Sequence, residues 1–197
     1  GINWGWQNTS GSGVFASGEE SFTFTDGWHH VVAIWDGTTS TNGAKLYIDG
    51  SLFDELTANA TLASQTFTLG PTLGADRQSS GRSILGLDQV RIYNTALNPN
   101  DAWLLYSETS ATSSTLDYPA STGAQALYEL EGDATSTSSA AYNGTATDVA
   151  WVPLYDGTPT SMTYAAPSVS TPFLKAGVFN GSSSYIDTNT IFTPTLM

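Results

Sequence analysis

The chain lacks cysteine and has few positively charged residues. It contains 197 residues and no cysteine, so it can form neither a disulfide framework nor a thiolate metal site. Five Lys and Arg residues stand against eighteen Asp and Glu residues, which gives a formal net charge of -13 at pH 7. Such a surface repels phosphate backbones and anionic lipid headgroups. The charge therefore argues against nucleic-acid partners and against binding to membrane surfaces.

Long apolar runs are also missing. No stretch approaches the roughly 20 apolar residues that cross a bilayer, and no signal-peptide pattern is visible. We therefore expect no membrane insertion. The chain begins at Gly1 instead of an initiator Met and stops at Met197, so we expect a processed product or a segment of something longer.

Serine, threonine and glycine are abundant. The chain has 24 Ser, 28 Thr and 19 Gly, and 40% of its residues are hydrophobic, which is enough for a packed core. This composition favours β-strands and turns over helices, which prefer Ala, Leu, Glu and Lys. We predict an all-β fold, an antiparallel β-sandwich. Its strands are expected at 21–25, 28–35, 45–48, 51–53, 65–69, 84–93, 126–130, 149–152, 176–181 and 184–187.

Two local signals predict a hairpin and a helix. Asp49-Gly50 lies between two apolar runs and predicts a hairpin, because a type I′ turn needs positive φ at both central residues. One short helix is predicted near 99–106, with Asn98 as its N-cap and Pro99 at its first position. The amphipathic pattern of this helix uses Trp103, Leu104 and Tyr106.

Three motifs in the first 108 residues carry a family resemblance. They are GWHHVVAIWDG at 27–37, KLYIDG at 45–50 and GLDQVRIYN at 86–94. Together with the short helix that follows them, they resemble the C-terminal half of a laminin-G-like, concanavalin A-like jelly roll. The resemblance implies a β-sandwich of that family.

The second half of the chain resembles the other end of the same family. ALYELEGD at 126–133, YNGT at 142–145 and AGVFNGSSSYI at 176–186 are similar to its opening strands. Those strands normally precede the Trp-His-His-Val strand, and here they follow it. The predicted organisation is a C-terminal half-sandwich at 1–108, a Ser/Thr-rich linker or loop at 109–123, and an N-terminal half-sandwich at 124–197.

The reversed order leaves three interpretations open. The chain is a window across two tandem repeats, or a circular permutant whose halves close on each other, or a subunit whose second half completes a neighbouring chain in a head-to-tail filament. An incomplete sandwich leaves unpaired strand edges and open apolar faces. Each half must therefore find a partner.

The sequence contains candidate catalytic groups, but we do not expect them to form an active site. His29 and His30 are adjacent in a predicted strand, so their side chains point to opposite faces and cannot converge. Glu129 and Glu131 have the i, i+2 spacing of a retaining glycosidase pair. The Glu-x-Asp-x-x-Glu pattern of the related glucanases is absent, however, and no serine nucleophile elbow occurs. We therefore expect no catalytic residues and no enzyme activity.

The resemblance implies a calcium site. Members of this family often bind Ca²⁺, which prefers carboxylate and carbonyl oxygens. Asp88 occupies the position of the family's aspartate in GLDQVRIY, and Asp133 follows the opening strand. These two segments are neighbours in a complete domain of the family, which makes both residues candidate ligands. The alternative is that Asp88 anchors a loop by accepting backbone N–H groups.

Aromatic side chains are candidate ligand-binding residues. Trp4 and Trp6 share one face of an extended segment, and Trp151 and Tyr155 flank the other half. Their flat rings can stack on the apolar face of a sugar. Packing in the sandwich core is the alternative role for all four.

The sequence predicts a non-catalytic recognition module on the outside of a cell or on a virion surface. Its expected ligand is a glycan or a cell-surface group, as in cell adhesion. The alternative is a structural repeat of a phage fibre, a decoration protein or an extracellular filament, whose partner is the next copy of itself. A third class is the accessory module of a glycoside-processing enzyme.

Overall fold

The structure is a computed structural model of the chain. It describes residues 4–7, 13–16, 27–64, 71–75, 81–82, 84–108, 116–153 and 175–188. Outside these ranges lie two predicted strands, at 21–25 and 65–69, and the predicted ligand-binding residue Tyr155.

Short antiparallel strands and one α-helix make up the described part of the chain, which confirms the predicted mostly-β fold class. The strands are β1 (Gly5–Gln7), β2 (Gly13–Ala16), β3 (Val31–Trp35), β4 (Ala44–Ile48), β5 (Ser51–Leu56), β6 (Thr72–Leu73), β7 (Ile84–Leu87), β8 (Val90–Tyr93), β9 (Ala124–Tyr128), β10 (Thr145–Thr147), β11 (Ala150–Pro153), β12 (Lys175–Asn180) and β13 (Tyr185–Asp187). The helix is α1 (Pro99–Tyr106), and short 3₁₀ turns occur at Leu62–Ser64 and Ala140–Tyr142.

Strands β3, β4 and β5 form a sheet of consecutive antiparallel neighbours. The turn between β4 and β5 has positive φ at both central residues, 51° at Asp49 and 76° at Gly50. This confirms the hairpin predicted from the sequence. The register runs from Ile48 opposite Ser51 to Ala44 opposite Leu56, with one irregularity after Leu46.

Helix α1 begins where the sequence predicts. The side chain of Asn98 accepts hydrogen bonds from the backbone N–H groups of Asn100 and Asp101, at 2.8 Å and 3.1 Å. The Asp101 carboxylate in turn accepts from the N–H of Asn98 at 2.9 Å, which completes a capping box. None of the helices in the described ranges is long and apolar enough to cross a membrane.

The buried face of α1 differs from the predicted one. Ala102 and Leu105 are its buried residues, and they pack with Ile34, Tyr47 and Leu97. Trp103 and Tyr106 lie on the exposed side. The expectation that these aromatic residues form the buried side of an amphipathic helix is therefore wrong.

Strands from the middle of the described chain pair with strands from its C-terminal part. Strand β9 pairs with β8, β12 pairs with β7, and β13 pairs with β6, all antiparallel. We call these three pairings the seam. Through them, residues 124–188 supply neighbours for strands in residues 72–93.

Among the described residues, the largest hydrophobic cluster lies at the seam. Tyr128, Phe179 and Ile186 are fully buried in it, and Leu85 and Val90 pack against it from the other side. Its members thus come from both segments of the chain. A side chain at Gly74, next to β6, would overlap the ring of Phe179, so only glycine permits this close approach.

An ion pair holds the chain after α1 against β8. Arg91 Nη1 and Nη2 donate to the two carboxylate oxygens of Glu108, at 2.6 Å and 2.9 Å. The side chains of Arg91 and Glu108 are only 7% and 13% exposed. The guanidinium also lies over the ring of Tyr118, 5.8 Å from its centroid, which is within the roughly 6 Å of a cation–π contact.

Candidate functional site

Four aromatic rings form a cluster at the β1–β2 ribbon. We call Trp4, Trp6, Phe15 and Trp35 the aromatic cluster. The Phe15 ring contacts both Trp4 and Trp35, with centroids 5.5 Å apart in each case and near-perpendicular planes. Trp6 and Trp35 are 5.6 Å apart between centroids. Trp4 and Trp6 therefore belong to one continuous set of rings.

The two predicted tryptophans of this cluster are held differently. Trp4 is half-buried, and its indole Nε1 donates to Asp54 Oδ2 at 2.7 Å. Trp6 is 37% exposed, so part of its ring faces solvent. A fixed indole, an exposed indole and a carboxylate thus lie close together on one surface.

Trp151, the third predicted ligand-binding residue, lies away from the aromatic cluster. Trp151 is half-buried on β11 and packs against the seam cluster, beside Gly177. This location matches the packing role that the sequence left open for it. Tyr155 lies outside the described residues.

Asp88 and Glu131 form a pair of interacting carboxylates, which we call the carboxylate pair. Burial first, and then the nearby charge of Glu131, raise the pKa of Asp88 to about 7, although the N–H of Gln89 opposes both effects. Burial also raises the pKa of Glu131, although the backbone N–H of Lys175 donates to its Oε2 at 2.8 Å. Asp88 Oδ1 and Glu131 Oε1 are buried without a hydrogen-bond partner among the described residues.

Asp133 has a different environment from Asp88. It is exposed, and its Oδ1 accepts from the hydroxyl and the N–H of Thr135, at 2.6 Å and 2.9 Å. These bonds lower the pKa of Asp133. Within the ranges that the structure describes, no group of three or more His, Cys, Asp or Glu side chains is arranged around a metal position. The oxygens of the carboxylate pair are nevertheless the hard ligands that Ca²⁺ prefers.

Both histidines are anchored at the Asp49 turn. His29 Nδ1 lies 2.7 Å from Asp49 Oδ2, and the N–H of His30 donates to Asp49 Oδ1 at 2.9 Å. Burial lowers the pKa of His30 to about 4, against the opposing effect of Asp49. His30 is therefore neutral near pH 7, in a structural role.

The glutamates with glycosidase spacing do not share a strand. Strand β9 ends at Tyr128, and Leu130 has a φ of 58°, which breaks the strand alternation between Glu129 and Glu131. The premise that both carboxylates lie on one strand face is therefore wrong. Glu131 instead lies near enough to Asp88 for its charge to raise the pKa of that carboxyl group.

Sequence reasoning missed three residues at these sites. Trp35 and Asp54 complete the aromatic cluster, but they come from β3 and β5, and no local pattern links them to Trp4. Glu131 was considered only as the partner of Glu129. Its position one residue before the Gly132-Asp133 turn was a usable signal, because turns bring distant segments together.

The comparisons with known proteins agree with this β-rich fold. A family model described as the concanavalin A-like lectin/glucanases superfamily, of the laminin G type, matches residues 1–103. The curated proteins and the solved structures gave no match. The match implies a jelly-roll β-sandwich, and the superfamily includes both lectins and glucanases. The match spans more than half of the chain. The chain therefore belongs to the concanavalin A-like lectin/glucanase superfamily, as its motifs predict.

Proposed function

We propose that the chain is a non-catalytic recognition module that binds glycans or a cell-surface ligand through the aromatic cluster. The observation that carries this proposal is the exposed ring of Trp6, in the same aromatic cluster as the hydrogen-bonded indole of Trp4. Indole faces stack on the C–H faces of sugars, and a carboxylate such as Asp54 accepts sugar hydroxyls. The superfamily's lectins supply a precedent for this kind of ligand.

The surface chemistry narrows the class of ligand. With a net charge of -13, the chain repels sulfated and other anionic glycans as well as nucleic acids. A neutral glycan meets no such repulsion. A module that binds glycans must be exposed to them. We therefore propose, as part of the same function, that it works outside the cell or on a virion surface.

The test is a glycan array followed by calorimetry on the best neutral hit. Trp6→Ala should weaken binding about tenfold, because stacking on one indole contributes roughly 1 kcal/mol or more. Val152→Ala, which removes another exposed apolar side chain, is the matched control and should bind normally. An array without any signal, or equal binding by both variants, would contradict the proposal.

Calcium support at the carboxylate pair is a further part of this proposal. The family resemblance nominates Asp88 and Asp133, whereas the electrostatic neighbour of Asp88 is Glu131. A bound dication would neutralise two carboxylates that burial and mutual repulsion otherwise disfavour. It would thereby stabilise the loops at the start of β8 and the end of β9.

Thermal melting with CaCl₂ and with EGTA tests the calcium site. Calcium should raise the melting temperature of the wild type, because it binds only the folded state. Asp88→Asn should remove that increase. Asp133→Asn distinguishes the ligands: if it also removes the increase, Asp133 is a ligand, and if the increase remains, Glu131 is the partner. An identical melting temperature in both solutions would rule the site out.

Assembly through strand complementation is a second candidate function, favoured by the seam. Residues 124–188 pair with strands in residues 72–93, and the same hydrogen bonds would form if the two segments came from different copies. The Ser/Thr-rich segment 109–123 connects the two regions. Such exchange would produce head-to-tail filaments, as in a phage fibre or decoration protein.

Shortening the connecting segment tests this second function. Deletion of residues 109–115 should prevent closure within one chain and convert monomers into dimers or longer polymers, measured by sedimentation velocity and electron microscopy. The wild type should form the same species at high concentration. A wild type that stays monomeric at every concentration would exclude the filament.

A further inference from the structure

The outer face of α1 carries two large aromatic side chains. Trp103 is 52% exposed and Tyr106 is 42% exposed, although both are large enough to contribute to a core. The helix already has a buried side in Ala102 and Leu105. Trp103 and Tyr106 therefore keep a large exposed area on a helix that Ala102 and Leu105 already attach to the sheet.

The two rings rest on the backbone of the β4–β5 hairpin. Their centroids are 5.6 Å apart, with an angle of 54° between the planes. A Cβ atom at Gly50 would lie 2.7 Å from Tyr106 Cδ1 and 2.9 Å from Trp103 Cε3. The ring of His30 adds a third neighbour, 6.1 Å from Tyr106. These contacts restrict the motion of both rings, which lowers the conformational entropy that the side chains would lose on binding.

Polar side chains flank the rings on the same helix face. Asn100 precedes Trp103 by three positions and Ser107 follows it by four, and residues at these spacings lie on one side of a helix. Both are exposed. The exposed side of α1 therefore presents a series of binding groups. They are the amide of Asn100, which donates and accepts, the two aromatic rings and the hydroxyl of Ser107.

The size of the exposed surface favours a small ligand over a protein. Trp and Tyr each bury about 150–250 Å² when fully covered, so the exposed fractions of these two correspond to roughly 200 Å². A stable protein interface buries about 800 Å² on each partner. One or two sugar rings match the smaller area.

We propose that Trp103 and Tyr106, with Asn100 and Ser107 beside them, form a second binding platform for an uncharged sugar unit of a glycan. This proposal rests on the proposed function in that it assumes a glycan ligand, but it assigns the binding to a different surface. The aromatic cluster packs with Val14 and Ala44, whereas α1 packs with a separate set of buried residues, Ile34 and Tyr47. Two such surfaces on one chain would bind a polysaccharide bivalently, which raises avidity without new contacts.

The test uses the full chain and neutral oligosaccharide hexamers, here of β-1,4-glucose, β-1,3-glucose and mannose, with a sulfated polysaccharide as the anionic probe. Calorimetry should give a loss of about tenfold in affinity for Trp103→Ala and for Tyr106→Ala. Trp103→Phe retains a flat ring and should bind nearly as well as the wild type. Val152→Ala should bind as the wild type does. Circular dichroism melts verify that each variant is folded.

The outcomes separate this platform from the proposed function. If Trp6→Ala loses binding and Trp103→Ala does not, the glycan function is correct and the α1 platform is wrong. If the sulfated polysaccharide binds better than the neutral hexamers, the uncharged ligand class is wrong. If Trp103→Ala instead abolishes self-association in sedimentation, the rings form a contact between copies and the proposal fails. If no hexamer binds the wild type and the glycan array is also silent, both proposals fail.

Discussion

The strand pairings and salt bridges within residues 27–108 join segments close in the sequence, whereas the strand pairings of the seam join segments far apart. Arg91 and Glu108 pair across 17 positions, and the Asp49-Gly50 turn connects β4 directly to β5. Across the seam, the hydroxyl of Thr188 donates to the carbonyl of Pro71, 117 positions away. Turn chemistry can set the register of the first region. The seam forms only when two separate segments meet, so its stability depends on side-chain packing.

The largest expected effect comes from removing packing at the seam. Phe179→Ala deletes a fully buried ring that lies against Gly74 and should lower the free energy of unfolding by about 3–5 kcal/mol. Denaturant titration measures this loss. Val152→Ala, on neighbouring β11 but exposed, should change it by less than about 0.5 kcal/mol. A loss below about 1 kcal/mol for Phe179→Ala would mean that the seam contributes little to stability.

A smaller effect is expected from the buried ion pair of the local region. Glu108→Gln leaves the guanidinium of Arg91 buried without a counter-charge, which should lower the free energy of unfolding by about 2–4 kcal/mol. The matched control is Glu55→Gln, which breaks the much more exposed pair with Lys45 and should have a small effect. Equal losses in the two variants, measured by the same titration, would show that burial of the pair is unimportant.

The smallest expected effect is on the pH dependence of stability, which should have opposite signs in the two regions. Asp88, at the seam, has a pKa raised to about 7, so the folded state holds its proton more tightly and stability falls as pH rises from about 4 to 7. His30, in the local region, has a pKa lowered to about 4, so stability falls as pH drops from about 6.5 to 4. The two effects oppose each other.

The Asp88→Asn variant should therefore show the pH dependence of stability that comes from His30, without the opposing contribution of Asp88. In EGTA, its melting temperature should exceed that of the wild type at pH 8 and should decrease as the pH is lowered from about 6.5 to 4. The double variant with His30→Phe should lose most of this decrease, because the lowered pKa of His30 causes it. A wild type and an Asp88→Asn variant with superimposable pH profiles would show that Asp88 titrates normally.

The sequence predicted those parts of the fold that local chemistry determines. The Asp49-Gly50 hairpin and the start of α1 at Pro99 depend on residues close together, and both are confirmed. The predicted strand at 84–93 is instead two strands, because Gln89 has a φ of 50° between them. A positive φ at a glutamine gives no sequence signal, unlike the one at Asp49 in the Asp-Gly turn, since glutamine has no preference for that conformation.

The candidate site was predictable in its residue types and less so in its geometry. Trp4 and Trp6 were correctly placed near each other, because residues two apart in an extended segment share a face. Their neighbour Asp54 lies 50 positions from Trp4 and could not be found from spacing. The outward position of Trp103 was also missed, since its apolar ring suggests burial and only the packing of Ala102 and Leu105 decides which side faces the sheet.

The long separation across the seam also has a consequence in time. Leu85 of β7 is paired with Phe179 of β12, and at about 5–20 residues per second a ribosome needs roughly 5–20 s to travel from one to the other. During that interval the growing chain presents the apolar side of β7 with no partner strand to cover it. Neighbouring ribosomes on the same message hold identical unfinished chains. Protein synthesis is therefore the stage at which one copy can most readily acquire the strands of another.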